Sequence, residues 1–140
     1  GIDFAAPPGT PIRAAADGVI SFSGWQNGYG NFITIKHWGP YSTAYGHMSR
    51  IATGMTRGKK VSQGDVIGYV GSTGLSTGPH LHYEFRVNNV QQNPAQVDMP
   101  NIHPLTAREM VRFKANLADM KHRFALMDSV SKPHQLAYNP

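Results

Sequence analysis

From His80 to Val87 the chain alternates polar and apolar at every step, and this segment sets the terms for the rest of the fold. Leu81, Tyr83, Phe85 and Val87 fall on one face of an extended strand; His80, His82, Glu84 and Arg86 fall on the other. Such a strand belongs to a sheet with one face in a core and the other open, as antiparallel sheets commonly have. The neighbouring sequence supplies partners. Asp17-Gly18 opens Val19–Phe22, and Asn27-Gly28-Tyr29-Gly30 separates that run from Asn31–His37. Residues 41–48 form a further candidate, with alternation placing Tyr45 and His47 on one face, and Gln63-Gly64-Asp65 turns the chain into Val66–Val70. Fifteen Gly and ten Pro in 140 residues favour this turn-rich β architecture over a helix bundle.

Two stretches, 11–20 and 61–68, each join strand to strand through a Gly turn, like the two halves of a barrel-sandwich. The expected fold is therefore mainly β, an antiparallel sheet domain of barrel-sandwich-hybrid type with a C-terminal α-helix. The sheet domain is assigned to residues 1–100 and a C-terminal extension to 101–140. A helix is expected over about 106–128, where Gly and Pro are absent. Phe113, Leu117, Met120, Phe124 and Met127 form one apolar stripe, and Thr106 with Glu109 forms a capping box. This helix is expected to pack on the sheet domain, or on another module or subunit.

Composition removes several functions. The chain has no Cys, so a cysteine-built metal centre and disulfides are excluded. A net charge of +5 suits an anionic partner, but Lys and Arg are scattered rather than clustered, so no nucleic-acid partner is expected. No apolar run is long enough to span a membrane. The chain opens at Gly1 in mid-pattern and reads as a fragment, N-terminally truncated, so a missing export signal carries no information.

The chemistry centres on His80 and His82. Residues i and i+2 of a strand share a face roughly 6.6 Å apart. Two imidazoles so placed suit two metal ligands, or one ligand and one proton carrier, and they also suit two solvated polar residues. The small-residue loop 71–79 leads directly into them and permits close approach of backbone or substrate. No Lys or helix follows it, which weakens a phosphate-binding reading. Asp3, in Gly1-Ile2-Asp3-Phe4, and His47, in Tyr45-Gly46-His47-Met48, mean little alone.

Together these segments resemble the LytM/lysostaphin-type zinc metallopeptidases, family M23. The resemblance covers residues 1 to about 97 and rests on Gly1–Phe4, the run from Gly28 to His37, Tyr45–Met48, Val61–Gly68 and Gly71–Gly74 through His80–Glu84, in the family's order and spacing. It implies a Zn2+ cofactor with Asp3 and His82 as metal ligands, and His47 and His80 as catalytic residues. It also implies that Asn31 and the 71–79 loop, with Gly74 and Thr77, line the substrate groove. The first His of the family's His-x-x-x-Asp motif would fall two residues before Gly1. Glu84 shares the face of both strand histidines and suits a partner to a ligand. His37, His103, His122 and His134 have no role in the resemblance and read as surface or structural residues. The implied activity is hydrolysis of stem-peptide cross-links in peptidoglycan, in the periplasm or cell envelope. The Gram-negative members are favoured by the 37–43 stretch and the C-terminal helix, hence a D,D-endopeptidase on D-alanyl–diaminopimelate links. The competing expectations are a catalytically inactive activator of cell-wall amidases and a carrier or carbohydrate-binding module on the same sheet.

Overall fold

The computed structural model describes residues 1–93, the helical residues 111, 114–116, 118, 119 and 122, and the strand Ala137–Tyr138. The strands are β1 (Ile2–Ala5), β2 (Pro11–Arg13), β3 (Gly18–Gln26), β4 (Gly30–Lys36), β5 (Tyr41–Ile51), β6 (Lys60–Val61), β7 (Val66–Val70), β8 (His80–Val87), β9 (Val90–Gln92) and β10 (Ala137–Tyr138). They pair in the order β10-β1-β8-β5-β4-β3-β6, with β2 on β7, β7 on the end of β5, and β9 on β8. Every pairing is antiparallel.

The alternation of β8 is realised as read. Leu81, Tyr83 and Phe85 are buried with Phe4, Ile33, Ile35 and Tyr45 in one core. Tyr83 meets Phe4 and Tyr45 edge-on, which fixes β1 and β5 against β8. The two Gly-turn stretches pair with each other as a barrel-sandwich requires. β2 lies on β7, Gly18 pairs with Val61, and Ala14 exchanges backbone hydrogen bonds with Gly64 and Asp65. The β8–β9 turn places Asn88 and Asn89 at φ of 51° and 64°, the conformation that a two-residue hairpin turn demands and Asn tolerates.

Two boundaries depart from expectation. β3 continues four residues beyond Phe22, to Gln26, because β4 offers it partners as far as Gly30. β5 runs to Ile51, because its last residues leave β8 and take β7 instead. Of the helix expected over about 106–128, the described residues are helical, and Asn116 donates its side-chain amide to the Ala15 carbonyl at 2.8 Å. The capping box and the apolar stripe lie outside the described residues, as do His103 and His134.

Candidate active site

The change of partner along β5 builds the site. Residues 41–46 pair with β8 and residues 48–51 with β7, so His47 sits at the junction. Its φ of 61° is left-handed, a conformation that costs a non-glycine residue on the order of 1–3 kcal/mol and persists only where surroundings hold it. Here its backbone N–H donates to the Tyr29 carbonyl at 2.6 Å and its Nδ1–H to the Thr73 carbonyl at 2.6 Å. The expectation that Tyr45 and His47 share a face therefore fails. Tyr45 points into the core and accepts a hydrogen bond from the Ala15 N–H, while His47 turns to the opposite side and stands against His80, ring centres 4.8 Å apart.

Strand pairing brings the other residues in. Asp3 of β1 lies directly opposite His82 of β8, and Gly46 of β5 flanks His82 on the other side. Asp3, His47, Thr77, His80 and His82 line one open cavity of about 390 Å³, with Tyr29 on its wall and Leu75, 84% exposed, at its mouth. Asn31 and Gly74 stand beside this cavity rather than on its lining. Asn31 donates its side-chain amide to the Met48 and Ser49 carbonyls, which braces β5 just after His47. Gly74 packs on the backbone of Gly28 and Gly30 so tightly that a Cβ there would overlap Gly30 N, and its φ is +74°. Thr73 closes the clamp with its hydroxyl on the Met48 carbonyl.

The three histidines are held in two opposite ways. His47 Nδ1 meets the Thr73 carbonyl and His80 Nδ1 meets the Gly78 carbonyl at 2.8 Å. A carbonyl only accepts, so both rings carry a proton on Nδ1 and turn Nε2 toward the cavity. His82 is reversed. Its Nε2 lies 2.8 Å from Glu84 Oε2, so that edge donates, and Nδ1 faces Asp3 Oδ1 at 2.9 Å. His80 Nε2 stands 3.6 Å from the same Asp3 oxygen.

Glu84, 4% exposed, is the buried charge behind the site. Besides His82, its carboxylate accepts from the Tyr29 hydroxyl at 2.7 Å and from Arg86 Nε and Nη2 at 2.9 and 2.8 Å. Burial works to raise its pKa, but these donors outweigh it and hold the carboxyl at about 2. Burial likewise works to lower His82, while Asp3 and Glu84 on either side bring it up to about 8. For His47 burial is the leading influence, helped by His80 and His82 and opposed by the Thr73 bond, and the net direction is down.

A carboxylate oxygen and an imidazole nitrogen within 2.9 Å of each other form two members of a zinc donor set. Among the described residues no group of three His, Cys, Asp or Glu is arranged to hold a metal, so the pair fits zinc as part of a larger set. Tyr29 was not singled out as a site residue. The only sign of it in the sequence is its place between two glycines in a turn, where it stacks on Phe32 and leans over His82.

Comparison with known proteins places the chain among peptidases. The model of peptidase family M23 matches residues 1–94. The DD-carboxypeptidase/endopeptidase Mpg of Neisseria meningitidis is 51% identical over 117 residues, 82% of this chain and 26% of that protein. The peptidoglycan DD-endopeptidase ShyC of Vibrio cholerae is 42% identical over 138 residues, 99% of this chain and 30% of that protein. The chain thus spans under a third of the length of these curated relatives. A solved zinc-containing peptidase from Vibrio cholerae superposes with a TM-score of 0.63 at 36% identity, covering 70% of this chain and 30% of that one.

Proposed function

The chain belongs to peptidase family M23, and from that premise we propose that it is the catalytic part of a zinc-dependent endopeptidase that cuts the peptide cross-links of bacterial peptidoglycan. The expected bond is the D-alanyl–diaminopimelate link, cut in the periplasm or cell envelope. Two curated relatives named for DD-endopeptidase activity support the reaction class. The single observation that carries the reading is the opposed tautomers around one cavity. One imidazole presents Nδ1 to a carboxylate, and two are tied at Nδ1 to backbone carbonyls with Nε2 toward the same cavity.

In this reading Asp3 and His82 hold the metal, and the third protein ligand is the His two residues before Gly1 in the family's motif. Zinc supplies Lewis acidity, polarising the scissile carbonyl and making water acidic enough to attack near neutral pH. His47 and His80 share the proton work: one receives the proton that the attacking water gives up, and the other delivers one to the departing amine. Both are fixed in direction by backbone carbonyls at Nδ1, so neither must reorganise to act. Glu84 keeps His82 in the tautomer that turns Nδ1 to the metal, and Arg86 and Tyr29 keep Glu84 in place. Residues 101–140 are proposed as an extension whose helix lies on the sheet domain through Asn116.

Digestion of purified sacculi by the full-length protein, with fragments identified by mass spectrometry, tests this directly. Split cross-links that disappear on chelation and return with zinc are expected. Release of terminal D-alanine alone would make it a carboxypeptidase, and stimulation of an amidase without cleavage would make it an activator. A non-catalytic activator has no need of four converging side chains with fixed tautomers.

A further inference from the structure

The open face of β8 does not end at the histidines. Arg86 follows Glu84 on that face and pairs across the sheet with Ser42 of β5, which pairs with Lys36 of β4. These three side chains form one row on the same side of the sheet as His82. Over them, between the β4–β5 and β8–β9 turns, lies a second cavity of about 310 Å³, bordered also by Thr34, Asn88 and Asn89. No Asp or Glu lines it, and its only charged groups are Lys36 and Arg86.

Arg86 is held there rather than neutralised outright. Its Nε and Nη2 both go to Glu84 Oε1, and the side chain still borders the cavity. Lys36 forms no ion pair among the described residues. Lys36, together with an Arg86 already held by Glu84, borders a concave wall of hydroxyls and amides that no other acid lines, and this suits an anion. Arg and amide donors suit the planar carboxylate in particular. By strand rise, the row lies about 13 Å from His82, the length of roughly four extended peptide residues.

We propose that this cavity binds a free carboxylate of the substrate peptide, carried about four residues from the bond being cut. The proposal rests on the peptidase reading above and deepens it. The cavity selects cross-linked peptides that carry a free acid group at that distance over neutral or amidated ones. Glu84 then joins the two parts of the groove, with one oxygen on His82 and the other on Arg86.

The test compares two matched cross-linked peptides, one with its carboxylates free and one amidated, as substrates of the zinc-loaded full-length protein. KM is expected to be roughly tenfold lower for the free acid, the scale of one charge-assisted hydrogen bond. Lys36→Gln is expected to erase that difference and Lys36→Arg to restore it. Equal KM values in the wild type, or a difference that survives Lys36→Gln, overturn the proposal. An NMR titration with an uncleavable acid peptide separates this outcome from failure of the peptidase reading. Shifts at Ser42, Asn88 and Asn89 with the acid and not with its amide uphold the cavity even if neither peptide is cut. Shifts elsewhere, or none, overturn it even if both are cut.

Discussion

The two sides of the cleft use the same side chain and hold it differently. On the β5 and 71–79 side, backbone carbonyls of Thr73 and Gly78 take the Nδ1–H of His47 and His80. On the β1 side, the Glu84 carboxylate takes the Nε2–H of His82. A carbonyl fixes a tautomer and leaves the ring an ordinary base. A carboxylate fixes the opposite tautomer and also makes the ring a stronger donor of its remaining lone pair. His80 and His82 are two residues apart on one strand face. Their difference comes wholly from neighbours, a loop carbonyl for one and a buried acid for the other. A histidine pair on a strand is thus not a functional unit; the atom that meets the second nitrogen decides what each ring can do.

The largest effect should come from the carboxylate side. Asp3→Ala or His82→Ala is expected to empty the zinc site and lower cross-link cleavage by more than about 10⁴-fold, beyond the loss of a proton carrier. Metal analysis of the purified full-length variants checks the first part. His47→Ala and His80→Ala should instead lower cleavage by about 10²–10⁴-fold with zinc content nearly intact. If His80→Ala empties the site, both strand histidines are ligands and the contrast between the two sides collapses.

Much of this was legible in the sequence, for a physical reason. β8 has perfect period-two alternation, and one face of it is buried, so its limits, its core residues and the shared face of His80, His82, Glu84 and Arg86 follow from pattern alone. The order of the motifs pointed to Asp3 and His47. Alternation failed at β5, because it assumes a strand that keeps one set of partners. β5 changes partner at His47, and a left-handed residue there reverses the face. Tyr29 and the clamping role of Asn31 and Gly74 stayed hidden for a related cause. Each acts through contacts to residues 17 to 55 positions away, and no local periodicity records those.

Glu84→Gln sharpens the comparison at the next scale. The variant keeps the shape but loses the charge that gathers the His82, Tyr29 and Arg86 donors. Zinc affinity, measured by competition with a chelator, is expected to fall about 10–100-fold. Tyr29→Phe removes one of the donors and should cost less, about 1 kcal/mol of zinc binding or stability. Equal effects from the two would mean that Tyr29, rather than the carboxylate, orients His82.

The smallest effect concerns a fourth histidine, which serves as a control. His37 is anchored like His47 and His80, with Nδ1–H on the Asp17 carbonyl at 2.7 Å, but its Nε2 is occupied by the Thr43 hydroxyl at 2.7 Å. Thr43 bonds Tyr45, and Tyr45 accepts from Ala15 N–H. The chain of donors runs one way, from Ala15 through Tyr45 and Thr43 into His37. It closes only while Nε2 of His37 is a lone pair. Protonation would turn that nitrogen into a donor facing a hydroxyl whose own proton then has no acceptor in the buried network. Burial is the leading cause that holds His37 below its usual pKa, opposed by Asp17. The folded state thus binds this proton less readily than the unfolded one, whose His titrates near about 6.5. The stability His37 contributes is therefore complete above that value and is lost as pH falls through the lower, folded pKa. Denaturant unfolding of wild type and His37→Gln, followed from about pH 7.5 to about pH 5 across the ordinary His value, should show the wild type losing its advantage on the acid side. A constant difference across that range would mean that His37 stays neutral throughout, and that the network is indifferent to the proton the site histidines exchange.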